Sequence, residues 1–453
     1  MDQTSPRVTI VGGGFAGVEC AYQLARRGHA VRLFEMRPTR TTEAHTTDRL
    51  AEMVCSNSFR SDNPANAVGL LKREMEAVGS IILTSARASA VPAGDALAVD
   101  RAVFAENVTR RLTALPGVEV VRAEMEAVPD AGDGFAVIAT GPLTSPSLEK
   151  ALLSALGDKY LYFYDSVAPI VEASSLDMTK LYAASRWGKG GGDDYLNAPM
   201  SKAEYQAFVN ELLTGERVPF HDFEKAVFFE GCLPIEAMAD RGIETLRHGP
   251  MKPFGLRHPV TGREPYAVVQ LRQDDLAKDH YNVVGFQTKL KVGEQKRVFR
   301  TIPGFTNAEF VRFGMLHRNT YLNGPAHLDR LFRWKKDPRV FFGGQITGVE
   351  GYLESAATGL MIGVTLAQLL EGREPLPIPF TTALGALSRH VSEPREQDFS
   401  PANVTFGIID DAGIPLSKDR AVRRQEICKR ALETVAAWRD AALPERVPAV
   451  LVP

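Results

Sequence analysis

Cysteine is scarce in this chain, with only four in 453 residues. They stand at Cys20, Cys55, Cys232 and Cys428, too scattered for a CxxC pair or a disulfide framework. Free thiols in a reducing cytoplasm are the simplest expectation. An excess of one charge is also missing. The formal net charge of −2 gives no global pull toward nucleic acid or an acidic membrane, so any polyanion must be met by a local patch. Long apolar runs are absent too: none reaches the roughly 18 to 20 residues that a membrane span needs. The N-terminus, MDQTSPRVTI, has no basic region followed by an apolar stretch, so no secretory signal is read. We therefore expect a cytoplasmic protein with no membrane partner, no metal and a monomeric state. With 44% apolar and 24% charged residues the composition is that of a globular chain, and the length favours two domains.

What is present begins at the front. RVTIV (7–11) is apolar and β-branched, as a buried parallel strand requires. GGGFAG follows at once: Gly12, Gly13, Gly14, Phe15, Ala16 and Gly17, with Gly12, Gly14 and Gly17 in GxGxxG register. Gly12 permits the tight turn, Gly14 lets backbone approach a pyrophosphate, and Gly17 allows helix and strand to pack closely. FAGVECAYQLARRG then reads as a helix and AVRLFE as a second strand closing on Glu35, which is placed to accept hydrogen bonds from a ribose. A lone glycine motif is weak. Strand, turn, helix, strand and acid within about 30 residues are not. Cys20 falls on the packing side of this helix and reads as a small buried hydrophobe.

Two later segments choose the dinucleotide. FAVIATGP (135–142) is a short apolar strand ending in a glycine turn at Thr140 and Gly141. RVFFGGQITGVEGYLESAATGLMIG (339–363) repeats strand, glycine turn and small-residue helix through Gly344, Gly348, Gly351 and Tyr352. One FAD held by both ends of the chain implies an α/β fold: a discontinuous Rossmann-like FAD-binding domain with an α+β insertion domain. The expected boundaries are 1–170 and 330–453 for the FAD-binding domain and 171–329 for the insertion. Within the insertion, YAVVQLRQ and NVVGFQTKL alternate as antiparallel strands with one polar face, and Gly190 to Gly192 read as a mobile loop. KDRAVRRQEICKRALETVAAW reads as a C-terminal amphipathic helix with a basic face.

GGGFAG, EMRP (35–38), EMVCSNS (52–58), ATGPLTS, GPMKP, MLHRNTYLN and GVEGYLESAATG together form a specific set. On these motifs the chain resembles the folate- and FAD-dependent tRNA uracil-5-methyltransferase family, TrmFO, from about residue 7 to the C-terminal helix. The resemblance implies methylation of the T-loop uridine of tRNA, position 54, from 5,10-methylenetetrahydrofolate. FAD is the implied reductant, recharged by NADH or NADPH. By position, Cys232 matches the family's nucleophile and Cys55 the cysteine beside the flavin, a general base and pocket organiser. The family motif YLNCPM reads YLNAPM here, with Ala198 in place of a third thiol.

Uracil carbon 5 becomes nucleophilic once a thiolate adds at carbon 6, which is the step that requires a cysteine. From the residues alone, Cys232 between FF and LP reads equally as nucleophile or buried hydrophobe, while the polar flank of Cys55 argues against an inert core position. Tyr352 is a candidate to stack on the pterin, against ordinary packing. His317, Arg318 and Asn319 form a polar cluster read as a loop, with Arg318 a partner for a folate carboxylate or an interdomain ion pair. Gln287 and Lys289 are weaker folate candidates. Two basic groupings are candidates for phosphate contacts: Lys289, Lys291, Lys296, Arg297 and Arg300, and Lys418, Arg420, Arg423, Arg424, Lys429 and Arg430. Two rival readings stand beside this one. One is an NAD(P)H-dependent flavoprotein oxidoreductase acting on a small molecule; the other is a flavin-bound RNA-binding or redox-sensing protein. Ribosomal RNA is a further alternative substrate within the family.

Overall fold

The structure is a computed structural model describing residues 7–132, 134–157, 161–219, 233–395, 398–415, 417 and 419–444, with backbone alone at 161–165 and 316–318. A five-stranded parallel sheet carries the nucleotide-binding pattern. Val8–Val11 lies in its middle. Phe135–Ile138 and then Val340–Phe342 flank it on one side, Val31–Phe34 and Val118–Val121 on the other. A strand from residue 340 thus joins a sheet begun at residue 8, as expected of a fold built from both ends of the chain. Parallel strands covered on both faces need apolar residues throughout, and Val8, Ile10, Val31, Leu33, Ala136 and Ile138 are all fully buried.

The helix Phe15–Ala25 follows the glycine turn, and Tyr352–Leu370 lies against it. Their approach is set by absent side chains. A Cβ on Gly359 would sit 2.0 Å from the Ala16 carbonyl oxygen, and one on Gly363 would sit 3.0 Å from that of Cys20. Cys20 is completely buried in this contact, and burial pushes its thiol up. Among the described residues, Tyr352–Leu370 is also the one helix long and apolar enough to cross a membrane, and 89% of its apolar window is buried inside the fold.

A six-stranded antiparallel sheet runs in the order Tyr182–Ala183, Tyr195–Met200, Ala267–Gln273, His280–Val283, Ile170–Glu172, Phe310–Arg312. It has its own core, in which Tyr205, Phe208, Phe286, Phe299 and Phe305 are buried. Leu161–Ser166 and Leu316–Tyr321 pair antiparallel, so the chain leaves for this sheet and returns from it along one two-stranded ribbon.

Three local expectations need correction. The run NVVGFQTKL is not one strand: His280–Val283 ends there, and Gly285 turns the chain at φ +77°. The polar face of Ala267–Gln273 is not solvated, since all seven residues are buried, Gln270 and Arg272 included. Gly190 to Gly192 form a pinned turn, because the Asp194 carboxylate accepts the Gly191 and Gly94 N–H groups.

Candidate active site

The glycine turn, the end of the second strand and the Thr140–Gly141 turn enclose a cavity lined by Gly12, Gly13, Gly14, Phe15, Ala16 and Glu35. Thr140, Gly141, Gly344 and Tyr352 complete the wall. Gly12 is forced to be glycine: at φ +107° its Cβ would lie 2.4 Å from the Ala139 carbonyl oxygen. Gly17 serves packing, with its Cβ position 1.9 Å from the Gly12 carbonyl oxygen. Gly14 is the N-cap of Phe15–Ala25, has no side-chain cap, and meets nothing within 4 Å of its Cβ position. The uncapped N–H groups and the dipole of that helix therefore face the cavity, an arrangement suited to a pyrophosphate.

Glu35 is 5% exposed, and one carboxylate oxygen accepts the Gly13 N–H at 3.0 Å. Arg37 donates to both oxygens, Nε to Oε1 at 2.9 Å and Nη2 to Oε2 at 3.1 Å, and reaches Glu52 as well. Burial pushes the Glu35 carboxyl up, but the Arg37 guanidinium and N–H outweigh it and hold the group below the usual carboxylate range. It stays ionised beside the cavity, as an acceptor for ribose hydroxyls must. An open helix terminus and an ionised buried acid fit an adenine dinucleotide. Sequence reasoning quoted EMRP but missed the role of Arg37.

A second cavity adjoins the first and shares Val54, Pro142, Leu143, Gln345 and Tyr352 with it. Cys55, Arg60, Arg272, Gln287, Asn319 and Gly351 line it further. Cys55 is half-buried. Its N–H donates to the Tyr352 hydroxyl at 2.7 Å, and its Sγ lies 4.0 Å from the Ser166 carbonyl oxygen. Tyr352 stacks on Phe15, with centroids 4.7 Å apart and planes at 25°. One face of the ring is therefore covered by protein. Burial, and next the nearby Cys55, push the Tyr352 hydroxyl up, so it stays protonated.

Arginines from several elements hold the loop that carries the thiol. Arg272 is buried on the antiparallel sheet, and its Nε donates to Asn57 Oδ1 at 2.7 Å and its Nη2 to Ser56 Oγ at 2.8 Å. Arg101, ion-paired with Asp274, donates to the Met53 carbonyl at 3.1 Å. Arg312 reaches the Ala44 carbonyl at 3.1 Å. Burial lowers the affinity of Arg272 and Arg312 for their protons, yet guanidinium groups start so high that both remain charged. The arrangement unites a dinucleotide cleft with a thiol on a cationic rim. Sequence reasoning missed Arg272, because the alternation in YAVVQLRQ sets it on the polar face of its strand.

The remaining expected residues divide. Asn319 is 3% exposed and lines the second cavity. His317, Arg318 and Asn319 belong to the strand Leu316–Tyr321, not to a loop, because they pair with Leu161–Ser166. The side chains of His317 and Arg318 lie outside the described residues, as do Cys232 and Lys418. Ala198 is buried in a strand opposite Val269, a core position. Much of the first basic grouping is neutralised: Lys291 pairs with Glu216, and Arg297 with Glu211 and Glu294. Arg300 caps the Ala308 carbonyl. In the second, Arg423 pairs with Asp411 and Arg430 binds the Asp410 and Ala412 carbonyls, which ties Arg420–Ala442 to the preceding segment. Arg420, Arg424 and Lys429 remain exposed. Among the described residues, no three His, Cys, Asp or Glu side chains are grouped to hold a metal ion.

Fold and site together define a Rossmann-type dinucleotide-binding protein with an antiparallel module set over its cleft. Residues 7–374 match the family described as glucose inhibited division protein A. A protein from Moorella thermoacetica named "methylenetetrahydrofolate--tRNA-(uracil-5-)-methyltransferase TrmFO" is 54% identical over 432 residues, covering 95% of this chain and 97% of its own. One of the same name from Geobacter sulfurreducens is 53% identical over 432 residues, covering 95% and 98%. The chain belongs to this family, among its TrmFO members. A crystal structure of Aquifex aeolicus GidA superposes with a TM-score of 0.70 at 15% identity, covering 98% of this chain and 74% of that one, and so shows the shared fold.

Proposed function

We propose that this protein methylates carbon 5 of uridine 54 in the T-loop of tRNA, with 5,10-methylenetetrahydrofolate as carbon donor. Its relatives carry that activity in their names at 54% and 53% identity over almost the whole chain. Residues 1–170 and 330–453 form the FAD-binding portion and 171–329 the module over it. When bound and reduced, FAD would supply the two electrons that convert the transferred one-carbon unit to a methyl group, and NADH or NADPH would replenish them.

The chain's own residues do the rest. Gly12 to Ala16, Glu35, Thr140, Gly141 and Gly344 hold the dinucleotide. Cys232 adds to uracil carbon 6, which makes carbon 5 nucleophilic toward the one-carbon unit. Cys55 takes the proton that carbon 5 must lose as the carrier amine leaves the one-carbon unit; once that unit has been reduced to methyl, elimination of the Cys232 thiolate frees 5-methyluridine. Tyr352 orients Cys55 through the backbone N–H, and Arg272 and Arg101 hold the loop around it. Asn319 contacts substrate in the second cavity, with His317 and Arg318 on the same strand, and Arg424 and Lys418 serve the RNA backbone. The target base must leave its stack to reach this cavity.

The observation that carries the reading is the position of Cys55, in a cavity that shares the Tyr352 and Gln345 wall with the dinucleotide cleft. The experiment supplies tRNA lacking 5-methyluridine, labelled methylenetetrahydrofolate and NADH. Label must appear in tRNA as 5-methyluridine, and its appearance only in ribosomal RNA, or nowhere, refutes the assignment. A 5-fluorouridine RNA tests the thiols: an adduct that persists in Cys232→Ala removes Cys232 from the nucleophile's role.

A further inference from the structure

Trp187 has a placement that the reaction above does not use. The indole is 70% exposed, whereas Trp438 is 5% exposed and Trp334 partly buried. Its backbone stands at φ +58°, a region that bulky residues seldom occupy. A neighbour holds it there. The Trp187 N–H donates to the Gly255 carbonyl at 3.0 Å, and the ring lies on Gly255 so closely that a Cβ there would be 2.6 Å from Cε2. The indole is thus seated on backbone and kept facing outward.

Its surroundings mix aromatic and charged groups: Glu264 accepts the Gly255 N–H at 2.9 Å, and Lys189 is paired with Asp95. Phe254 is 41% exposed, and the Lys252 ammonium lies 5.8 Å from that ring's centre. Arg186 and Lys189 flank the tryptophan in sequence. Arg186 also fixes the position of the patch, with Nε on Gln270 Oε1 at 3.0 Å and Nη1 on the Phe254 carbonyl at 2.8 Å. Gln270 shares a strand face with Arg272, about 7 Å along the strand from it, and Arg272 lines the Cys55 cavity. The turn beyond is fastened to residues 93–95 through Asp194, Lys189 and Tyr195. The indole therefore stands on a braced support, linked through Arg186 and Gln270 to the strand whose Arg272 lines the thiol's cavity.

We propose that Trp187 is a stacking platform for an unpaired base of the RNA substrate, outside the Cys55 cavity and on the same antiparallel module as Arg272. The proposal rests on the reading of the site as acting on tRNA. Any base presents a π-face to an indole, and the Lys252 ammonium beside Phe254 is placed to serve an adjacent phosphate, so such a surface takes RNA without reading sequence.

The test uses the FAD-loaded full chain and an unmodified tRNA transcript. Tryptophan emission should be quenched saturably by tRNA in the wild type and not in Trp187→Phe. Trp187→Ala should raise KM for tRNA by about tenfold or more, as loss of one stacked base implies, with kcat within about twofold by the same principle. Trp187→Phe, which retains a ring, should recover most of that loss, and equal FAD content would show that all three proteins are folded. An unchanged KM in Trp187→Ala, or equal quenching in Trp187→Phe, overturns the platform while leaving the methylation reading intact. A wild type that neither binds nor methylates tRNA overturns both. Quenching that follows protein concentration without RNA, together with dimers in sedimentation, would reassign the ring to a contact between copies of the chain and also overturn the proposal.

Discussion

Gly359→Ala is a perturbation for which local and tertiary reasoning disagree in sign. By helix propensity, replacing a mid-helix glycine with alanine should stabilise the protein by about 1 kcal/mol. The packing says otherwise. The new methyl would sit 2.0 Å from the Ala16 carbonyl oxygen, 2.7 Å from its carbon and 2.8 Å from its Cα, all of them backbone. To restore the 3.4 Å of ordinary contact, Tyr352–Leu370 and Phe15–Ala25 must part by roughly 1.4 Å. Overpacking of this kind costs about 1 to 3 kcal/mol, and with no flexible side chain to yield, the upper end applies. The net expectation is a loss of about 2 kcal/mol after the propensity gain is subtracted. Ala16 also lines the dinucleotide cavity, so its displacement should weaken FAD retention. Thermal unfolding followed by flavin fluorescence, with the FAD-to-protein ratio of the purified variant, reads both effects. The control is Gly293→Ala, at an exposed helical position with nothing within 4 Å of the added carbon, which should be neutral or slightly stabilising. If Gly359→Ala melts at or above the wild-type temperature with a full complement of FAD, the account of that helix contact is wrong.

Other outcomes follow from single groups. Tyr352→Phe leaves the Cys55 N–H without its acceptor, at a cost of about 1 to 3 kcal/mol to that loop. Alkylation of Cys55 by iodoacetamide should then accelerate while FAD stays bound; an unchanged rate would show that the hydroxyl does not hold the loop. Glu74 is buried against the N-terminus of Ala383–Ser392, its carboxylate accepting the Ala383 and Leu384 N–H groups at 2.8 Å. Burial pushes its pKa up to about 8 from an ordinary 4.5. Between those values the unfolded chain has released a proton that the folded chain keeps, so stability falls as pH rises, by on the order of 1 kcal/mol per pH unit. Urea midpoints between pH 5 and pH 8 should show a flatter slope in Glu74→Gln, and parallel slopes would contradict the placement of this carboxyl. Cys55→Ala should retain FAD and abolish 5-methyluridine formation; full turnover in that variant would release Cys55 from the proton transfer assigned to it.

The nucleotide unit was readable without coordinates because each demand on it is local. Gly12, Gly14, Gly17 and Glu35 are required by a turn, an approach, a packing contact and a hydrogen bond that all fall within one βαβ segment. The stretch SAATGLMIG was legible as a small-residue helix, but its close contact with Ala16 and Cys20 emerged only in the structure. Reasoning from periodicity failed where burial reversed its usual meaning. The alternation in YAVVQLRQ marked a polar face, and the structure buries it, with Arg272 bonded to the thiol-bearing loop and Gln270 to Asn197 and Arg186. MLHRNTYLN looked like a loop because it is dense in polar residues, yet Leu161–Ser166 supplies the ladder that makes it a strand. Basic groupings overstated free charge, since sequence does not reveal that Glu211, Glu216 and Asp411 reach the same cations.

The amino-acid order alone settled that a dinucleotide is held, and by which backbone, since glycine's missing side chain acts on neighbours a few residues away. Only the tertiary structure decided what surrounds the thiol. Cys55 meets Tyr352 from the far end of the chain and shares its cavity with Arg272 from the other sheet. That convergence depends on strand register and on how two sheets close over one cleft, which no local pattern encodes.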